Sequence, residues 1–171
     1  MQSTTPEVWK AIPGYEGLYE VSNQGRVKSL ARTVHQVDGR VRRFKETIKA
    51  CPITGMGYRT VMLYKDNKGS QRHVHRLVLE SFVGPCPPGS VACHWDDDRL
   101  NNTLSNLRWG SRSDNAYDKV RNGRCPKASK THCIRGHEFT ESNTYVRRGR
   151  PGTRECKTCN RERSSRFHKS K

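Results

Sequence analysis

Between Ala92 and Asp118 the chain reads A-C-H-W-D-D-D-R-L-N-N-T-L-S-N-L-R-W-G-S-R-S-D-N-A-Y-D. No other stretch constrains the fold as much. Val91 to Trp95 reads as a short strand that delivers one histidine, His94. Residues 96–107 are a polar loop that brings Asn106 back near that histidine. Leu107 to Trp109 reads as a second strand, and Leu104, Leu107 and Trp109 are core candidates. Ser111 offers an N-cap for a helix running to about Arg121. Asn115 and Asp118 stand three apart on it and share a face.

This order suits one-metal phosphodiester chemistry. An imidazole near its natural pKa can take a proton from water at neutral pH. Its other ring nitrogen must be held by an acceptor. A divalent cation can bind the phosphate and stabilise the leaving oxygen. His94 is the candidate base, Asn106 the residue that orients it, and Asn115 a hard oxygen ligand suited to magnesium or manganese. Taken singly the residues admit plainer readings. Asn-Asn is turn chemistry, and Asp96, Asp97 and Asp98 make a solvated acidic loop. The order and spacing together favour a site.

The string from Val91 to Asn115 resembles the HNH nuclease motif, in the subgroup found in phage and intron-encoded homing endonucleases. His94, Asn106 and Asn115 occupy its three signature positions. Val74 to Val78 and Phe82 resemble its lead-in. The resemblance implies a ββα-metal (His-Me finger) fold and a cleavage that leaves a 3′-hydroxyl and a 5′-phosphate. One position departs: such relatives often carry Asp before the base, as a second ligand, and Cys93 stands here. A thiolate matches magnesium poorly. Cys93, Asp118, Asp96 and His75 are therefore alternative second ligands, with Cys93 suited to a softer ion. His73 and His75, read as one strand face, are a further metal or phosphate candidate.

Composition supports a polyanion partner. Thirty-three basic residues against 16 acidic give +17, which points first to nucleic acid. From Lys119 to Lys171 there are 16 basic and 4 acidic residues, a net +12, leaving +5 for residues 1–118. Hydrophobic content is 32% and mean hydropathy −0.97, too polar for one large core, so small modules are expected. Seven cysteines, an odd count, suggest metal binding in a reducing compartment. No apolar run approaches the roughly 18 residues that span a bilayer. The start lacks signal-peptide character, so an intracellular protein, in a bacterial host's cytoplasm, is expected. No heptad or apolar stripe suggests a dimer, so a monomer without membrane or small-molecule partners is expected.

From Val8 to Leu30 the string V-W-K-A-I-P-G-Y-E-G-L-Y-E-V-S-N-Q-G-R-V-K-S-L resembles the nuclease-associated modular DNA-binding motif that often precedes such HNH domains. It implies that Arg26 and Lys28 face phosphates. Tyr19–Val21 and Gly25–Leu30 read as a hairpin, with Phe44 to Cys51 adding a third strand. Arg42 and Arg43, in a basic hairpin-like loop, are further phosphate candidates, as are Arg108 and Arg112.

Near the C-terminus, Cys133-x3-His137 and Cys156-x2-Cys159 lie eighteen residues apart. Two such pairs are a zinc signal. His132 and Cys125 are alternative ligands. Phe139–Tyr145 and Arg147–Thr153 are expected to form a hairpin between the pairs. Residues 161–171 have little to bury and read as a solubilising end. The pattern resembles zinc-binding tails of phage nucleases.

The expectation is an α+β chain of three modules: a β-rich DNA-binding motif over 1–55, an HNH domain over 56–122, and a zinc-stapled basic tail over 123–171. The rival is a catalytically inactive, zinc-containing nucleic-acid-binding protein.

Overall fold

The computed structural model describes residues 6–35, 39–148, 150 and 152–169. Strands and helices are mixed, in two compact units, residues 1–110 and 111–171.

The first unit opens with β1 (Trp9–Ala11), β2 (Tyr19–Ser22) and β3 (Val27–Ser29), which pair in antiparallel order. The turn between β2 and β3 is held by Ser22, whose hydroxyl accepts from the Gln24 and Arg26 amides. β4 (Arg32–His35) and β5 (Val41–Phe44) form a separate two-stranded ribbon, so Arg42 and Arg43 lie on a strand. The join at residues 36–38 is outside the described residues. β6 (Thr47–Ile48) pairs with β3 and completes the sheet order β1-β2-β3-β6. The third strand expected over 44–51 is thus the two residues of β6.

β7 (Thr60–Lys65) and β8 (Lys68–His73) form a hairpin. Its turn residues Asp66 and Asn67 have φ of 51° and 60°, a backbone that Asp and Asn tolerate. Helix α1 (Val74–Phe82) follows at once. Val74, Leu77 and Val78 fall at helical spacing and are fully buried. The Val74 amide makes one more cross-strand bond, to Arg59 O opposite it, before the chain turns into the helix. His75 therefore lies in the first turn of a helix, and the expected His73/His75 strand face does not exist. β9 (Val91–His94) and β10 (Leu107–Gly110) close the unit, with His94 opposite Leu107 and Cys93 opposite Arg108.

One buried cluster joins Ile12, Tyr19, Val21 and Val27 to Val61, Leu63, Val74, Leu77, Val78, Leu79 and Leu107. It runs through residues expected to build two separate modules. Neither hairpin is large enough to bury its own inner face, so they share α1 as a common apolar partner. The Tyr64 amide donates to Tyr19 Oη, and the Leu104 amide to Asn23 O.

The second unit begins with α2 (Arg112–Arg121). Ser111 and Asp114 form a reciprocal capping box at its start. β11 (Thr144–Val146) and β12 (Arg154–Cys156) make the hairpin, shifted from the ranges expected. α3 (Lys157–Lys169) then takes up most of the end read as merely solubilising. A helical turn after Cys156 is what lets a C-x2-C pair converge.

Candidate active site and metal centre

His94 ends β9 and is only 6% exposed. Its ring stands edge-on to His75, with centroids 5.3 Å apart. His75 stacks on His73, also at 5.3 Å, and Tyr58 closes the group at 5.1 Å from His75 and 6.4 Å from His94. The first turn of α1 thus brings the two histidines together although they do not share a strand. Burial holds the His94 pKa below the ordinary imidazole value, against the pull of Asn102 and of Asp96, Asp98 and Asp97. His75 is pushed down to about 3 by burial first, then by His94, His73 and Arg76. It is a neutral wall to His94.

The ring's acceptor is Asn102, whose Oδ1 lies 3.4 Å from His94 Nε2. Asn106 does different work. Its Nδ2 donates to Asp96 Oδ1 and Asn101 O, both at 2.9 Å, and its Oδ1 accepts from the Asp96 amide. Asn106 O accepts from the Trp95 amide at 2.9 Å, extending the ladder past His94. Asn106 fixes the loop around His94, while the direct contact falls to Asn102. The sequence signals Asn102 only through its Asn-Asn pair, which reads equally well as a turn. Asp96 is a hub, not a loose charge. Despite some burial, hydrogen bonds from the Asp98 amide, Asn101 and Asn106 hold its pKa low.

Cys93 is fully buried, and its thiol donates to Val91 O at 3.7 Å. As strand neighbours, Cys93 and His94 point to opposite faces. Asn115 is half-buried on α2. Asp118 is 2% exposed and pairs with Arg121 at 3.0 Å.

The candidate DNA contacts are engaged to different degrees. Arg26 pairs with Glu7 and lies over Trp9. Lys28 sits 3.0 Å from Glu20 and 3.7 Å from Glu46. Arg42 and Arg43 are exposed on β5, and Arg112 is exposed at the start of α2. The Arg108 guanidinium lies 3.6 Å above the Trp95 ring, itself 45% exposed.

In the second unit, the ligand atoms of Cys133, His137, Cys156 and Cys159 all lie within 4.8 Å of one another and could hold a metal ion. Cys133 Sγ is 3.6 Å from both His137 Nδ1 and Cys159 Sγ. His137 Nδ1 is 3.3 Å from Cys159 Sγ and 3.7 Å from Cys156 Sγ. Donors around one tetrahedral zinc stand about 3.5–3.8 Å apart, given bonds of about 2.0–2.3 Å. The set fits. Around it, the Cys159 amide and Asn143 Nδ2 donate to Cys156 Sγ. Asn143 Oδ1 also accepts from the Thr158 amide at 3.0 Å, which ties the start of α3 to the cluster. Glu162 Oε1 stands 3.8 Å from His137 Nε2, the outer position from which carboxylates orient ligating histidines.

Residues 7–64 match the NUMOD4 motif and residues 72–117 match the HNH endonuclease family. The chain carries a NUMOD4 motif ahead of an HNH endonuclease motif and is similar in sequence to HNH homing endonucleases. Over 115 residues it is 36% identical to DNA endonuclease I-HmuI of Bacillus phage SP01, covering 67% of this chain and 59% of that protein. An uncharacterised HNH endonuclease, L245, of Acanthamoeba polyphaga mimivirus is 30% identical over 138 residues, 81% of this chain and 36% of the relative. A solved structure on DNA binding and cleavage by I-HmuI superposes with a TM-score of 0.55 at 34% identity, over 68% of this chain and 60% of that one. The chain thus spans less than two thirds of the length of these relatives. No helix among the described residues is long and apolar enough to cross a membrane.

Proposed function

We propose that this protein is a metal-dependent DNA endonuclease. The supporting observation is His94: a buried imidazole, kept neutral by its surroundings, with one nitrogen held by an amide oxygen inside a loop organised by Asn106. It draws the proton from the attacking water. Asn115 would supply an amide oxygen to a magnesium or manganese ion, as the motif order implies, with Asp118 as the candidate second ligand; Cys93, buried on the face opposite His94, does not join them. An ion bound there supplies charge stabilisation for the scissile phosphate and the leaving oxygen. Trp95 and Arg108 form a stacked pair that can brace the DNA backbone, and Arg112, Arg42 and Arg43 add exposed charge. Arg26 and Lys28 reach phosphates by exchanging their carboxylate partners. The C-terminal cluster holds a structural zinc ion. The protein acts as a monomer.

The test is plasmid cleavage with magnesium, manganese or zinc. His94→Ala abolishes cutting and leaves DNA affinity within a few-fold of wild type. Undiminished cleavage by that variant removes the assignment. One observation favours a second reading, an inactive nucleic-acid-binding protein: Cys93 is a buried thiol bonded to Val91 O where a hard ligand is expected. Retained DNA binding with no cleavage by wild type in any metal selects it.

A further inference from the structure

The Asn102 amide is constrained from both ends. Its Nδ2 donates to Leu100 O at 3.4 Å, and its Oδ1 faces His94 Nε2 at 3.4 Å. A carbonyl oxygen only accepts, so Leu100 turns the amide nitrogen toward itself and the amide oxygen toward the ring. Nε2 then carries the ring proton, and Nδ1 keeps the lone pair that a base needs.

The backbone of Asn102 is constrained too, and by the N-terminal sheet. Gly25, in the β2–β3 turn, has φ of +77°, and a Cβ placed there would stand 2.7 Å from Asn102 Cβ and 2.8 Å from Asn102 O. Two residues earlier in the turn, Asn23 O accepts from the Leu104 amide at 2.8 Å. The turn therefore touches the loop on both sides of Thr103. Asn102 is 4% exposed.

We propose that Asn102 is a positioning residue for His94, and that the β2–β3 turn of the N-terminal sheet holds Asn102 in place. The inference rests on His94 being the base. It makes the N-terminal sheet part of the cleavage apparatus as well as a DNA-binding surface. A hydrogen bond from an oriented acceptor selects the ring tautomer, and a misplaced base loses rate steeply. Only glycine lets the turn approach this closely.

The full-length protein is assayed by single-turnover plasmid cleavage, with DNA affinity and melting temperature measured on each variant. Asn102→Ala lowers the rate at least tenfold, with affinity within twofold of wild type. Asn102→Asp keeps an oxygen toward Nε2 and recovers most of the rate. Gly25→Ala also lowers the rate tenfold or more, and adds less than twofold in the Asn102→Ala background. Gly14→Ala is the control, because Gly14 has the same left-handed backbone with nothing within 4 Å of its Cβ position; it keeps the wild-type rate. Leu104 opens a single 3-10 turn, Leu104–Asn106, a first position where proline fits; Leu104→Pro removes the amide that donates to Asn23 O, lowers the rate and serves if Gly25→Ala does not fold. A wild-type rate for Asn102→Ala, or Asp no better than Ala, overturns the positioning role. Additive losses for Gly25 and Asn102 overturn the link to the turn. Cleavage by His94→Ala removes the base itself, whereas an inactive His94→Ala beside a fully active Asn102→Ala sinks only this inference.

Discussion

At the scale of the residue, the histidine cluster carries the clearest pH signature. His75 has a pKa of about 3 in the folded protein, against about 6.5 when exposed. Between those values the unfolded chain binds the extra proton, so stability rises with pH through the window. The contribution is complete above about 6.5 and is lost as pH falls toward 3. Melting temperature should therefore drop on acidification below neutrality, and His75→Gln should flatten that slope; an unchanged slope refutes the assignment to His75. The same burial lowers the His94 pKa, so a base role extends cleavage to more acidic pH than an exposed imidazole allows. His94 was legible from order and residue type. Asn102 and Glu162 were not, because each acts through a contact set by backbone folding rather than by spacing.

At the scale of the element, α2 is mostly polar and depends on its ends. The Ser111–Asp114 capping box satisfies two amides that would otherwise lack partners. Ser111→Ala should cost about 1 kcal/mol in denaturant unfolding; no change in stability would show that the cap is not limiting. With zinc held by the Cys/His cluster, the C-terminal hairpin and α3 would depend on it instead, since among the described residues little is buried around them beyond Cys156. Purified protein should return one zinc per chain, and Cys156→Ser or a strong chelator should remove amide-exchange protection across residues 132–160 while residues 60–82 stay protected. Recovery of no zinc would exclude the site. Spacing revealed the four ligands. It could not place the strands between them, because short polar strands carry no alternation to read. The helical start at Val74 was likewise hidden, since a valine after alternating residues continues a strand pattern equally well.

At the scale of the whole molecule, charge is uneven: +12 of the net +17 lies from Lys119 onward. DNA affinity should fall steeply with salt. Changing the exposed residues Arg148, Arg150, Arg161 and Arg163 to Gln should reduce the slope of log affinity against log salt by about 1 for each phosphate no longer neutralised. An unchanged slope would place the tail off the DNA. Sequence by itself determined the chemistry within reach: a candidate imidazole base, a candidate amide ligand, four donors of the zinc-binding type and a large positive charge. These are properties of residue type and local spacing, so they hold however the segments pack. Tertiary structure alone decided that the two N-terminal β segments share a core with α1, and that a glycine turn backs onto the loop beside His94. Those facts arise from apolar surface that no single small segment can bury, and from approaches between residues some eighty positions apart, which no local pattern encodes.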